Sequence, residues 1–169
     1  MEVWLRGALP AVPALLQPVA HALLQASEEI TELMKDFPGQ LLWDRPAGVA
    51  SVAFHLQHIP GVLDRLLTYS HGAPLSADQL QALKAEGVFS DSLTKDMLLD
   101  SLNNKIQLVV QELATIDENT LSEARTVGRQ QLPSTKLGLI FHAAEHTMRH
   151  TGQLHVTARI LIHQENTIK

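Results

Sequence analysis

The 169-residue chain contains no cysteine. This absence excludes disulfide bonds, thiolate metal sites and a cysteine nucleophile, and it leaves imidazole, carboxylate and water as the available metal ligands. The chain also has no run of about 18 apolar residues, the length that a membrane-spanning helix needs. No membrane association is therefore predicted, and a cytoplasmic location is the default expectation.

Positive charge and aromatic residues are also scarce. The formal net charge is −5, with 13 basic residues scattered along the sequence. No basic patch marks a nucleic-acid surface, so nucleic-acid binding is not predicted. Aromatic residues make up 4% of the chain, and β-branched runs with a period of two are missing. The pattern predicts an all-α protein, and a hydrophobic content of 45% suits a single domain over residues 1–169.

Apolar residues spaced by three and four predict four long helices. They cover about Val12 or Pro18 to Phe37, Ser51 to Ser70, Ser92 to Ile116, and Ser134 to His163, with a short helix over Ser76 to Glu86. The long connection between the second and third long helices can return the chain to the other end of a bundle. The predicted fold is a four-helix bundle of up-down-down-up topology.

Histidine is the residue that stands out, with nine copies in the chain. His142, His146 and His150 are four residues apart, and this spacing places neighbours on one face of a helix. A second pair, His55 and His58, lies on the second predicted helix. Two imidazoles at four-residue spacing can bind one metal ion.

The register of the last helix places two of these histidines toward the interior. His146 and His150 share a stripe with Leu139 and Ile160, and a buried imidazole needs a polar partner or a metal. If the second long helix packs against the last, His58 can complete a three-histidine site. Spacing leaves two alternatives open, because His55 competes with His58 and His142 can pair with His146.

Other metal chemistries fit the pattern less well. Di-iron bundles need glutamates and Glu-x-x-His pairs, which neither buried stripe of the last helix supplies. The zincin motif His-Glu-x-x-His is missing, because Thr147 follows His146. A candidate general base near the ion is not visible in the sequence. Three neutral histidines leave open coordination positions, which is the catalytic arrangement of a metal ion.

Three segments together resemble the DinB/YfiT-like superfamily of metal-dependent enzymes. They are Ser51-Val52-Ala53-Phe54-His55-Leu56-Gln57-His58-Ile59, His146-x-x-x-His150-x-x-Gln153-Leu154, and Leu41-Leu42-Trp43-Asp44-Arg45-Pro46. The order and length of the predicted helices agree with the resemblance, which therefore covers most of the chain.

The resemblance implies an up-down-down-up four-helix bundle and a single divalent ion, nickel, zinc or iron, held by His58, His146 and His150. It also implies a homodimer. His55, His142 and Gln153 are then candidates for a supporting role around the ion, although Gln153 is equally interpretable as a helix-packing amide.

Some members of such families resemble thiol S-transferases, so our leading hypothesis is transfer of a low-molecular-weight thiol to a small-molecule substrate, with the ion activating the thiol. Metal-dependent hydrolysis is one alternative. A non-catalytic, metal-binding or stress-associated bundle is another, because fold resemblance does not fix chemistry.

Overall fold

Five α-helices and one two-stranded sheet form the regular structure of residues 1–168, which the computed structural model describes. Lys169, the last residue of the predicted domain, lies outside the described residues. In chain order the elements are α1 (Gln17–Met34), α2 (Val52–Ser70), α3 (Ala77–Ala85), α4 (Lys95–Leu113), β1 (Ala124–Val127), β2 (Leu132–Thr135) and α5 (Lys136–Ile168).

Side-chain caps fix the starts of two helices where the sequence predicts them. Ser51 Oγ accepts a hydrogen bond of 3.1 Å from the Phe54 backbone N–H and begins α2. Ser76 and Gln79 bond each other's backbone N–H groups in a capping box that begins α3. Both caps satisfy N–H groups that the first helical turn leaves without partners. Pro18 lies in the first turn of α1, which resolves the two predicted starts of that helix in favour of the later one.

The core lies between the long helices and is formed by the apolar faces that the sequence pattern predicts. The largest fully buried side chains are Leu16, Leu23, Ile30, Met34, Leu56, Ile59, Leu63, Leu102, Ile106, Leu113, Ile140 and Leu154. α3 contributes no buried residue and lies against α2 at the surface.

Polar contacts give the relative directions of neighbouring helices. Lys95 Nζ at the start of α4 donates to the Met34 carbonyl at the end of α1, so these helices run antiparallel. α2 and α4 run parallel, because Asp64 contacts Lys105 and, two turns later on both helices, His71 contacts Glu112.

The small sheet corrects the prediction of an all-α fold. β1 and β2 pair antiparallel from Ala124 opposite Thr135 to Val127 opposite Leu132, in the connection between the last two predicted long helices and the first residues of the fourth. Each strand has four residues, too few for an alternating apolar pattern to be recognised in the sequence. The fold is therefore mostly helical rather than all-α.

The start of α5 also differs from the prediction. The sequence predicts that this helix starts at Ser134, but Ser134 pairs with Arg125 in the sheet. Thr135 takes its place, because its Oγ1 accepts a 3.0 Å hydrogen bond from the Gly138 backbone N–H. Both residues are good caps by chemistry, and strand pairing decides between them. At its other end α5 extends beyond the predicted end at His163.

The buried face of α5 lies between the two stripes considered from sequence. Ile160, predicted to face the interior, is 41% exposed. Phe141, which lies on the second candidate stripe with Leu137 and Ala144, is 62% exposed. The residues that are buried come from both stripes and from positions between them: Leu139, Ile140, Ala143, Ala144, Thr147, Thr151, Leu154, Thr157, Ala158 and Leu161. The histidines at 146 and 150 therefore lie at the border of the buried face, where they are half-buried.

None of the helices within residues 1–168 combines the length and apolar character that crossing a bilayer requires.

Candidate metal centre

Three histidines from two helices converge on one point. One ring nitrogen each of His58, His146 and His150 lies within 4.8 Å of the other two. The Nε2 atoms of His58 and His146 are 2.9 Å apart, and the ring centroid of His150 is 4.4 Å from that of His58 and 4.5 Å from that of His146. These are the three residues that the sequence analysis proposed as metal ligands, and the fold brings them together.

Antiparallel packing of α2 against α5 produces this convergence. His58 faces His146, and His55, one turn earlier on α2, faces His150, one turn later on α5. A spacing of three on one helix and four on the other keeps each pair on the facing surfaces. The site therefore depends on the register between the two helices.

Glu86 lies directly behind His58. His58 Nδ1 donates to Glu86 Oε2 at 2.6 Å, and Arg65 Nη1 donates to Glu86 Oε1 at 2.5 Å. The side chains of Glu86 and Arg65 are 6% and 10% exposed, so the pair is held away from solvent. A carboxylate behind a ligating histidine fixes the tautomer and orientation of its ring. Because Nδ1 is occupied, Nε2 of His58 is the nitrogen that faces the other histidines.

The turn that follows α3 positions Glu86 behind His58. Gly87 follows with φ +76°, a left-handed conformation that glycine adopts without strain, and its N–H donates to Gln57 Oε1 at 2.8 Å. Gly61 faces Glu86 from α2, where a Cβ atom would clash with Glu86 Oε1 and approach Arg65 Nη1 to 2.9 Å. Glycine at 61 therefore leaves room for the carboxylate beside the helix.

His55 supports the site from the other side. It is 2% exposed, and its Nδ1 lies 3.0 Å from Nδ1 of His150. Because this contact occupies Nδ1 of His150, Nε2 is the ring nitrogen of His150 that remains available to bind an ion. Phe54 stacks on His58, with ring centroids 5.0 Å apart and an angle of 13° between the rings.

Burial lowers the pKa of two histidines at the site. The pKa of His55 falls to about 4 and that of His150 to about 3, mainly because of burial and with a smaller contribution from the nearby His58. Burial also lowers the pKa of His146, again with a contribution from His58. Neutral imidazole is the form that binds metal, so the lowered pKa values of His146 and His150 favour metal binding near neutral pH.

The two other supporting candidates lie further out. His142 is half exposed, and its Nδ1 is 3.2 Å from Glu145 Oε2. Gln153 is exposed and lines a cavity of about 610 Å³ next to His55. The cavity wall is mainly apolar, with Val49, Val156 and Ile160 among its residues. The structure brings His55 into contact with the three-histidine group, but it does not bring Gln153 there.

Two residues of the site, Glu86 and Arg65, were not predicted from the sequence. Arg65 follows His58 by seven residues, which places a charged side chain two turns along the same face of α2, and it is only 8% exposed. A buried arginine needs an acidic partner, and that requirement is the signal that was available. Nothing in the sequence says which acidic residue it is.

A mostly helical fold with histidines gathered between two helices defines a helical protein whose histidine cluster can hold a divalent ion. The model of the DinB superfamily matches residues 22–154, a segment that contains His58, His146 and His150. The chain belongs to the DinB superfamily, whose members often bind metal, and this confirms the resemblance seen in the sequence.

A solved structure supports the fold independently. The chain is similar to a crystal structure described as the conserved protein of locus from Enterococcus faecalis, with a TM-score of 0.71 and 22% sequence identity. The similarity covers 87% of this chain and 96% of the other, and at this identity it shows the fold alone. A search of curated proteins found no match.

The lowered pKa of His55 predicts how the stability of the metal-free protein depends on pH. Below pH 6.5 the unfolded chain protonates His55, whereas the buried ring stays neutral down to about pH 4. The free energy of unfolding therefore decreases as the pH falls from 6.5 toward 4. His55 contributes about 3 kcal/mol to this decrease. Urea unfolding of chelator-treated protein across this window should show the loss, and His55→Asn should reduce it, while the lowered pKa values of His146 and His150 leave a remaining slope of the same sign.

His163→Asn is the matched control, because His163 is exposed on α5 and lies in solvent before and after unfolding. The same pH slope in His55→Asn and in the unsubstituted protein would refute the assignment of the pH dependence to His55.

Gly61→Ala tests the arrangement of Glu86. The added methyl group displaces the tips of Glu86 and Arg65, so His58 loses its carboxylate partner while the core is unchanged. Loss of such a partner typically weakens metal binding by about 10- to 100-fold. Competition between the protein and a chelator for Zn²⁺ measures the change. Gly152→Ala is the control, since a Cβ there meets no described atom within 4 Å; equal affinities in the two variants would contradict the prediction.

Proposed function

We propose that the protein is a metal-dependent enzyme in which His58, His146 and His150 hold one divalent ion, nickel, zinc or iron. The observation that carries the proposal is the approach of three imidazole nitrogens, from two helices, to within 4.8 Å of one another. Imidazole suits each of these metals.

The surrounding residues fit an ion at this point. The lowered pKa values of His146 and His150 favour the neutral ligand form. His58 and His150 each have their Nδ1 atoms engaged, by Glu86 and His55 respectively, which directs Nε2 toward the common point. Metal-ligating histidines usually have such partners.

A divalent ion bound by three neutral ligands would act as a Lewis acid with open coordination positions, where it lowers the pKa of a thiol or water molecule. The chain itself would orient the imidazoles and bind the organic part of the substrate. The largely apolar cavity next to His55, about 610 Å³ in volume, has the size and character of a small-molecule site.

Glu86 bears on the choice between a thiol and water as nucleophile. Both of its oxygens are engaged, one by His58 and the other by Arg65, so Glu86 positions a histidine and does not serve as a free base. A thiol, with an ordinary pKa of about 8.5, needs much less help to ionise than water, at about 15.7. We therefore favour transfer of a low-molecular-weight thiol to a small electrophile over hydrolysis.

The proposal extends to the architecture. The antiparallel pairs α1 with α4 and α2 with α5, together with the parallel pair α2 and α4, support an up-down-down-up four-helix bundle formed by α1, α2, α4 and α5. Exposed apolar side chains on α5, Phe141 and Val156 among them, support a homodimer.

Metal analysis of the purified protein tests the metal site. Purified protein should contain about one divalent ion per chain, and His58→Ala, His146→Ala and His150→Ala should each contain much less of it, because tight binding at this site needs all three ligands. His163→Ala, with a substitution at an exposed histidine, should retain the ion. Full retention in any of the three ligand variants would remove that residue from the site.

The reaction is tested by measuring consumption of small electrophiles with and without low-molecular-weight thiols. We expect turnover that requires both the thiol and the ion. A rate independent of thiol would favour the hydrolase alternative, and no turnover of any electrophile by the metal-loaded protein would favour a non-catalytic metal-binding bundle.

A further inference from the structure

A second group of metal-ligating side chains lies beside the three-histidine site. His142, Glu145 and His146 follow one another on α5 as His-x-x-Glu-His, and one ligand atom of each lies within 4.8 Å of the other two. The spacing of three and four places all three on one face of the helix. Two imidazoles and a carboxylate form a donor set suited to a divalent transition-metal ion.

The two oxygens of the Glu145 carboxylate have different partners. Arg149 occupies Oε1 of Glu145, whereas Oε2 points toward His142 Nδ1 at 3.2 Å. One carboxylate oxygen therefore faces the histidines.

Exposure increases from the inner site to this outer group. The side chain of His58 is 16% exposed, whereas those of Glu145 and His142 are 36% and 48% exposed. His146 belongs to both groups, and its ring centroid lies 5.2 Å from those of His58 and His142. The outer group is therefore more accessible to solvent than His58 is.

His146 is the least restrained of the inner histidines. Its Nδ1 atom is buried and has no hydrogen-bond partner among residues 1–168, in contrast to the anchored Nδ1 atoms of His58 and His150. Its ring can therefore adjust its tilt without breaking a bond at Nδ1. A shared and adjustable ligand allows an ion to exchange its other ligands one at a time.

We propose that His142, Glu145 and His146 form an outer divalent-cation site that loads the inner one. The ion exchanges His142 and Glu145 for His58 and His150 while His146 remains bound, so two ligand bonds break and two form. The inference rests on the proposed function, because it requires the inner site as the destination of the ion.

The test is the rate of metal uptake, measured by stopped-flow absorption with Co²⁺ as the only added ion. His142→Ala and Glu145→Gln should slow both uptake and release by at least about tenfold, a modest value for the effect of local charge on association rates. The dissociation constant and the final content of one ion per chain should not change, because the loading site alters the path and not the end state. His163→Ala is the control and should load at the unsubstituted rate.

An equilibrium experiment isolates the outer site. His58→Ala combined with His150→Ala removes the inner site, and this variant should still bind Co²⁺, more weakly, until His142→Ala is added. Unchanged uptake rates in His142→Ala and Glu145→Gln would overturn the proposal, and so would an absence of His142-dependent binding in the double variant. In either case the unsubstituted protein would still bind its ion and the proposed function would stand; an unsubstituted protein that binds no ion would refute both.

Discussion

The register between α2 and α5 is the constraint on which the site depends. Antiparallel packing places His58 opposite His146 and His55 opposite His150, in two contacts of 2.9 Å and 3.0 Å. Moving one helix by a single residue rotates its side chains by about 100° relative to the other and separates both pairs. The buried apolar residues on either side, such as Leu56 and Leu154, hold this register through their packing. The same core that stabilises the fold therefore sets the geometry of the candidate metal centre.

A second set of interactions orients the rings once the register is set. Glu86 anchors His58, Arg65 anchors Glu86, and His55 contacts His150. Burying an arginine, a carboxylate and a histidine together costs free energy unless each is paired, and within the described residues each of them is. Such an arrangement is better explained by the demands of a ligand site than by stability alone.

The sequence predicted the helices and the pair His146 and His150 because both depend on short-range periodicity. The apolar positions of α4 and the helix starts near Ser51 and Ser76 are local signals, and they were correct. The four-residue spacing of His146 and His150 is equally local. Their convergence with His58 required α2 and α5 to be neighbours, which the family resemblance supplied.

Features that depend on tertiary contacts could not be predicted from the sequence. Glu86 is 28 residues from His58 and follows a helix with no buried residue, so no periodicity connects the two. Thr135 replaces Ser134 as the cap of α5 because strand pairing engages Ser134, and that pairing involves strands too short to predict. The buried face of α5 was misplaced because the helix contacts both α1 and α2, which widens the apolar surface beyond one stripe.

The most direct test of the central claim is an anomalous difference map from crystals of the protein grown with Zn²⁺. The account predicts one strong peak bounded by His58, His146 and His150, with zinc to nitrogen distances of about 2.0–2.1 Å. A strong peak elsewhere with none at these histidines, or a peak that contacts fewer than all three, would contradict it.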